Sequence, residues 1–446
     1  MNWDLAVVAR ATGGTARGSA AIDRVVTDSR QAGPGTLFVA VKGERFDGHD
    51  FAASAAEAGA AVVAERGRLP KGMNGVEVDD TLSALAALAV ERRSELDIPV
   101  VAITGSSGKT TTKDMTAAAL GSGTHAAPRS YNNEVGVPLT VLGTPDDAAA
   151  LVVEVGSRGA GHIAALAGAI RPDVAVITNI GPAHLEMFGD VEAVLDAKWE
   201  LVDALPPDGV AVLPAADERL IGRRTGVMIT FGGDGSPADV MVSDVALDGR
   251  GRASFRLTHH GDTRAMILQQ AGLRQPLNAA AAVSAALALG RDFAEAADRV
   301  AGAGVSPWRM EVREVPVGGG TVVVVNDAYN ANPDSMAAAF ETVSAMPGRH
   351  IAVLGKMHEL GASEGNLHRT VGALAAASGF AVVLVVGDDP GLAAGAGAVA
   401  EVQPDADAAA SRLASILSPG DVILVKASRA AGLERIAEGI GGGAAA

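Results

Sequence analysis

The run Thr104–Thr112, TGSSGKTTT, concentrates more chemistry-bearing groups than any other stretch of the chain. Gly105 and Gly108 let the backbone turn so that N–H groups converge on phosphate oxygens. Ser106, Ser107 and Thr111 complete the lining of such a loop. Lys109 would reach the β- and γ-phosphates, and the Thr110 hydroxyl would sit on Mg²⁺. The spacing G-x-x-x-x-G-K-[ST] is met only as a variant, because Ile103 stands at the first glycine position. A Gly/Ser turn with a surface lysine is the plainer alternative. The apolar strand before the loop and the helix after it favour a phosphate site, and so an ATP-using enzyme.

Other groups add to this. Glu154 ends an apolar strand, and a buried carboxylate needs either a hydrogen-bonding partner or a cation. His184 and Glu186 lie in NIGPAHLE, just past another strand. A lone histidine is more often structural than a ligand, and Glu186 could be a solvated loop residue. Lys198 falls on the apolar stripe Val191, Val194, Leu195, Val202, Leu205 of a helix spanning residues 190–205. It either snorkels, which spacing alone favours, or is chemically special. One special form is a carbamate, made from the neutral amine and CO₂, which exchanges a buried cation for an anion able to face Mg²⁺.

The elements that must position these groups follow an α/β pattern. VVAIT (100–104), LVVEVG from Leu151 and DVAVITNIG from Asp173 read as buried parallel strands with polar ends. In open α/β sheets, ligands bind at those carboxyl ends. Residues 209–268 read as alternating short strands. An Ala-rich helix follows over 277–289 with Asn278 at its start, and the helix after the phosphate loop is expected over 114–120. Before residue 97, TLFVAV (36–41) and residues 60–64 read as strands, and 51–59 and 81–97 as helices. Pro99 then breaks the chain. From Ser306, TVVVVND, HIAVLGK, AVVLVVG and DVILVKAS form a second doubly wound pattern. The tail GIGGGAAA has nothing to pack and is expected to be disordered.

Bulk properties narrow the partners. The length of 446 residues suggests two to four domains. A net charge of −16 repels nucleic acid and anionic membranes. No cysteine is present, which excludes disulfides and zinc–thiolate sites. The opening MNWDLAVVARATGG lacks a basic stretch followed by a long apolar one, so no signal peptide is expected. No apolar run is long enough to span a bilayer. A cytoplasmic protein, monomeric by default, is the expectation.

The motifs resemble the Mur ligase family, the ATP-dependent amide-forming enzymes of peptidoglycan precursor synthesis. The resemblance covers nearly the whole chain. It rests on DSR (28–30), PGTLFVAVKGERFDGHDF (34–51), the phosphate loop, YNNEVGVP (131–138), EVGSRGAGHI from Glu154, NIGPAHLE from Asn179 and DAKWEL from Asp196. WRME (308–311), NDAYNANPDSM (326–336), GKMHELG (355–361) and KASR (426–429) extend it to the C-terminal part. It implies three α/β domains. These are a small uridine-nucleotide domain over 1–97, a central P-loop ATPase domain over 98–305, and a C-terminal Rossmann-like domain over 306–446 that closes on the nucleotide.

The resemblance also implies roles. Thr110, Glu154 and His184 would bind Mg²⁺, Lys198 would be carbamylated, and Lys109, Lys198 and His184 would serve catalysis. Asn278, Arg309, Asp327, Tyr329 and Asn330 would lie around the nucleotide. Ser29, Arg30, Lys42, Gly43, Phe46, Asp47, Gly48 and His49 would hold the UDP-sugar, and Asn132 and Asn133 would face substrate. YNNEVGVP and DAYNANPDSM point to the branch that joins D-alanyl-D-alanine to UDP-MurNAc-tripeptide. Arg274 stands where a histidine is usual, Pro214 and Ala215 replace an asparagine-containing stretch, and Ala427 replaces a glycine. These departures keep open a paralogue that joins another carboxylate and amine. A non-catalytic nucleotide-binding copy would be expected to lose some of Lys109, Thr110, Glu154, His184 and Lys198, and all are present.

Overall fold

A computed structural model of the chain describes residues 1–43, 46–181, 185–223 and 226–441. His184, the side chain of Glu186 and the tail from residue 442 lie outside the described residues. Three main sheets organise the rest. The central one has nine strands and carries the phosphate loop. Its core strands are the fully buried apolar runs Val100–Thr104, Ala150–Glu154 and Val174–Ile177. Buried on both faces, they pair in parallel and need no alternation of polar residues. Their register sets Glu154 opposite Ile103 and Ile177 opposite Thr104. The polar residues that end the strands therefore emerge along one edge of the sheet.

Residues 209–268 form strands as expected, but sustained alternation of burial is confined to the last two. Val210–Pro214 and Met228–Gly232 extend the parallel sheet, and Val240–Leu247 joins it in the same direction. Antiparallel pairing begins only with Arg252–His259 and Asp262–Ala271. Val210–Pro214 has a buried apolar centre, which suits its internal position. The helix after the phosphate loop begins at Lys109, not near Asp114, because Gly108 with φ +77° serves as its N-cap. The Ala-rich helix begins at Gln275, with Pro276 in its first turn.

The first sheet has five strands, four of them parallel, with Arg24–Val26 and Thr36–Val39 side by side at one edge. The helix Thr81–Glu95 leaves this unit and packs on Gly136–Leu142 and His162–Ile170 of the centre. One apolar core consequently runs from Trp3 through Leu88 to Val153 and Leu213. The third sheet has six strands, parallel except for the hairpin Glu311–Val317 with Gly320–Asn326. Alternate residues of Arg349–Leu354 serve its two faces. Ala352 and Leu354 join Phe340 and Val371 on one side, and Ile351 and Val353 join Leu413 and Ile436 on the other. Among the described residues no helix is long and apolar enough to cross a membrane.

Candidate active site

The phosphate loop is held open by its glycines and braced by its neighbours. Gly105 has φ +150°, and a Cβ there would come within 1.8 Å of Thr178 Oγ1. The site therefore excludes any side chain on two grounds, conformation and space. Asn179 accepts through Oδ1 from the Ser106 N–H at 3.1 Å and the Ser107 N–H at 2.9 Å. Its Nδ2 donates to Ser107 Oγ at 2.6 Å. Thr178 Oγ1 donates to the Ser107 carbonyl at 2.6 Å. These bonds commit two N–H groups that the sequence suggested for phosphate. The N–H groups at the start of the helix Lys109–Leu120 become the natural phosphate donors, since a first helical turn lacks intrahelical partners. Lys109 donates to the Gly105 carbonyl at 2.8 Å. Burial lowers the pKa of its ammonium, and the Glu154 carboxylate opposes that shift.

Glu154 is buried at the strand end, and its two oxygens are shared. Thr110 Oγ1 donates to Oε2 at 2.7 Å and Asn132 Nδ2 donates to Oε1 at 2.6 Å. Thr110 also meets Ser130 Oγ at 2.8 Å, and Arg309 Nη2 donates to the same Ser130 oxygen at 2.7 Å. The Thr110 hydroxyl and the Glu154 carboxylate are hard oxygen donors of the kind Mg²⁺ takes when phosphates and water complete its shell. Among the described residues no cluster of three or more acidic or histidine side chains could hold a metal alone. A metal shared with substrate phosphate fits this donor set. Asn133 lines the same site. Its Oδ1 accepts from the Gly136 N–H at 2.8 Å, so the side chain shapes the turn into Gly136–Leu142.

Lys198 does not snorkel. It is 2 % exposed on the buried face of Val191–Asp203. Among the described residues no hydrogen bond or ion pair reaches its amine. Burial drives its pKa well below the ordinary lysine value, and the charge of Lys109 adds to the shift. A neutral amine in such a place is the reactive form towards CO₂.

The side of the site expected to take the nucleotide is built by both the central and C-terminal units. The Arg309 guanidinium lies 3.9 Å from the centre of the Tyr329 ring. Asp327 accepts from the Met310 N–H at 3.1 Å and from Lys426, whose amine also donates to the Asn330 carbonyl at 2.8 Å. Asp327 thus shapes the turn that presents Arg309. Asn278 accepts from Thr112 at 3.4 Å and donates to Gln275 at 2.8 Å, and it lies against Gly108. Together with Lys109, Glu154 and Asn132, these residues line one cavity of about 1120 Å³. That exceeds the roughly 300–1,000 Å³ of a typical single-ligand pocket. Of the departures, Pro214 and Arg274 line the same cavity. Arg274 faces Asp334, whose pKa is raised by burial and partly restored by that charge. Ala427 Cβ lies 2.9 Å from where a Cβ on Gly355 would stand, so the glycine there accommodates the alanine.

The proposed sugar-nucleotide residues form a separate patch beyond the ends of Arg24–Val26 and Thr36–Val39. None of them lines the large cavity. His49 is buried, with Nδ1 donating to Asp47 at 2.7 Å and Nε2 accepting from the Glu65 N–H at 3.0 Å. Asp47 also accepts from Arg68 at 2.7 Å, and that bond is the main reason its carboxyl titrates well below the usual range. Gly48 lies where a Cβ would meet the Val41 carbonyl at 2.6 Å. These three build the loop. Arg30, paired with Asp28 at 2.7 Å, and Phe46, 72 % exposed, remain open to a ligand. Sequence reading overlooked Ser130, Thr178 and Asn179 as site residues. The polar ends of their strands and loops were the available signal.

Three family descriptions match in chain order. They are Mur ligase family, catalytic domain, over residues 21–93; Mur ligase middle domain over 103–286; and Mur ligase, glutamate ligase domain, over 308–429. UDP-N-acetylmuramoyl-tripeptide–D-alanyl-D-alanine ligase of Bacillus subtilis is 36% identical over 429 residues, covering 93% of this chain and 92% of its own. The Escherichia coli K12 enzyme of the same name is 34% identical over 425 residues, with 93% of each chain covered. Among solved structures, MurF from Acinetobacter baumannii superposes with a TM-score of 0.89 at 30% identity, covering 99% of both chains. MurF ligase from Thermotoga maritima in complex with ADP gives 0.83 at 32% identity, covering 94% of this chain and 97% of its own.

Proposed function

This chain belongs to the Mur ligase family, and within it we propose that it joins D-alanyl-D-alanine to UDP-N-acetylmuramoyl-tripeptide, converting ATP to ADP and phosphate. The observation that carries this reading is the single cavity shared by the phosphate loop, Glu154 and the Arg309–Tyr329 pair. It can seat a nucleotide and an acceptor together. The Bacillus subtilis, Mycobacterium bovis and Escherichia coli relatives, matched over nine-tenths of their length at 34–37% identity, bear this one name, so a ligase of another pathway is not favoured.

A carboxylate does not acylate an amine directly, because oxide is too poor a leaving group. In this reading the tripeptide carboxylate attacks the γ-phosphorus, the bond to ADP breaks, and an acyl phosphate forms. Lys109 and the helix N-terminus stabilise the charge that develops. The dipeptide amine then attacks the acyl carbon and loses a proton as phosphate departs. Closure of the C-terminal unit over the site would keep water from the acyl phosphate. Thr110 and Glu154, with His184, would hold Mg²⁺, which supplies charge neutralisation at the phosphates when bound. In this reading the neutral amine of Lys198 adds CO₂ and releases a proton to solvent, and the resulting carbamate anion would face Mg²⁺.

The division of labour follows the chain. Residues 1–97 would grip the UDP-sugar through Ser29, Arg30, Lys42, Gly43 and Phe46. Residues 98–305 would bind ATP, and residues 306–446 would close over it. Such a protein works in the cytoplasm, as a monomer, in peptidoglycan precursor synthesis. The test is phosphate release from ATP with UDP-MurNAc-tripeptide, with and without D-alanyl-D-alanine, and the product mass determined. Release that depends on neither substrate would sink the proposal.

A further inference from the structure

We propose that Ser130 is a positioning residue that ties the seating of the C-terminal unit to the Thr110–Glu154 pair. Its hydroxyl lies 2.7 Å from Arg309 Nη2 and 2.8 Å from Thr110 Oγ1. What each group can give or take fixes the direction of these bonds. A carboxylate only accepts, a guanidinium only donates, and a hydroxyl has one proton to give. Thr110 gives its proton to Glu154 at 2.7 Å. The Thr110 oxygen must then accept from Ser130. With its own proton committed, Ser130 can only accept from a further group, and Arg309 is the donor that reaches it. Arg309, Ser130, Thr110 and Glu154 therefore form one chain with a single proton arrangement.

The far end of that chain belongs to the C-terminal unit. Arg309 is flanked by Trp308 and Met310, both with positive φ (57° and 51°), and Asp327 pins the turn through the Met310 N–H. Tyr329 backs the guanidinium. The guanidinium thus moves with the C-terminal sheet, while Ser130 and Thr110 belong to the centre. Ser306, which donates to Asp114, anchors the segment between them. If the C-terminal unit swings away, Ser130 loses its charged donor and the Thr110 hydroxyl loses the arrangement that aims it. Ser130 is where closure is converted into orientation of a phosphate-site hydroxyl.

The inference rests on the reading of the chain as an ATP-consuming ligase. Wild type, Ser130→Ala, Ser130→Thr, Arg309→Ala and the Ser130→Ala/Arg309→Ala double variant would be compared in two assays. One is compaction in small-angle X-ray scattering on adding Mg²⁺ with a non-hydrolysable ATP analogue. The other is substrate-dependent phosphate release. Ser130→Ala should lower kcat about ten- to a hundredfold, the size expected for losing a hydrogen bond to a charged group, and should weaken compaction. Ser130→Thr should restore most of both. The double variant should be no worse than Arg309→Ala alone, because the two residues act as one unit. Undiminished kcat and compaction in Ser130→Ala would overturn the proposal. So would fully additive losses, or a Ser130→Thr variant that melts normally yet is as impaired as Ser130→Ala. If compaction follows Ser130 as described but no phosphate release occurs with these substrates, the positioning role stands and the substrate reading fails.

Discussion

An amine buried without a counter-ion is destabilising as an ammonium, and Lys198 has none among the described residues. In the unfolded chain it keeps its proton up to the ordinary lysine pKa, whereas in the folded chain it releases the proton at lower pH. Between those two values the unfolded state binds more protons, so stability rises with pH by about 1.4 kcal/mol per unit. In CO₂-free buffer, Lys198→Met should melt above wild type at neutral pH and show a flatter dependence of melting temperature on pH. Equal slopes for the two proteins, measured by calorimetry between pH 7 and 9, would refute the buried-amine account. Lys198→Ala should lose turnover and regain part of it with added formate or acetate, if a carboxylate can stand in for the carbamate. Helical spacing alone placed Lys198 on the apolar face, but spacing cannot distinguish a snorkelling chain from a sealed one. That distinction needs the neighbouring strands and helices, which come from elsewhere in the sequence.

The phosphate loop shows what is legible at the level of an element. Its glycines, its lysine and the apolar strand before it announce the strand–loop–helix unit without any structure. The brace does not announce itself, because Asn179 lies 73 residues from Ser106 and meets it only through the parallel pairing of Val174–Ile177 with Val100–Thr104. The same is true of Ser130, which reaches Arg309 across 179 residues. The start of the helix was misplaced for a local reason, since TTTK reads as a weak helix former while the αL glycine at 108 settles the cap. The brace has a direct consequence. Asn179→Ala leaves the Ser106 and Ser107 N–H groups without their side-chain acceptor, although Ser106 keeps the Asn179 carbonyl at 3.1 Å. The expected cost is about 1–3 kcal/mol, felt in the loop before the fold. The ATP KM should rise at least several-fold with the melting temperature lowered by only a few degrees. Unchanged ATP affinity, measured by titration calorimetry with an analogue, would show that the loop holds its shape without Asn179.

At the scale of the whole molecule, the alternation of sequence patterns near residues 97 and 305 suggests separations that the packing treats unequally. The helix Thr81–Glu95 belongs by sequence to the first unit, yet Leu85, Leu88 and Ala89 are fully buried in a core shared with the centre. Arg93 donates to the carbonyls of Ile170 at 2.8 Å and Leu96 at 2.6 Å, and Arg92 donates to that of Thr144 at 2.6 Å. Trp3 is tied to the same helix through Glu95 at 2.6 Å. A periodic apolar face reveals that a helix is buried but not which neighbour buries it, so this junction could not be read from the chain. The C-terminal sheet has its own two cores, to whose buried residues the centre contributes only Ala271 among the described residues. The first two units should therefore unfold together, while the C-terminal unit, with cores of its own, should unfold separately. The three tryptophans make this testable, because Trp3 and Trp199 report on opposite sides of the junction and Trp308 on the start of the C-terminal unit. In variants retaining only Trp3 or only Trp199, the two fluorescence melts should coincide, as expected for one cooperative transition. Leu88→Ala removes buried apolar volume at the junction and should lower both melts by the same amount, for a loss of about 2–5 kcal/mol. A Trp3 signal that melts well ahead of the Trp199 signal, or that alone responds to Leu88→Ala, would mean that the junction is a contact between independent units and not a shared core.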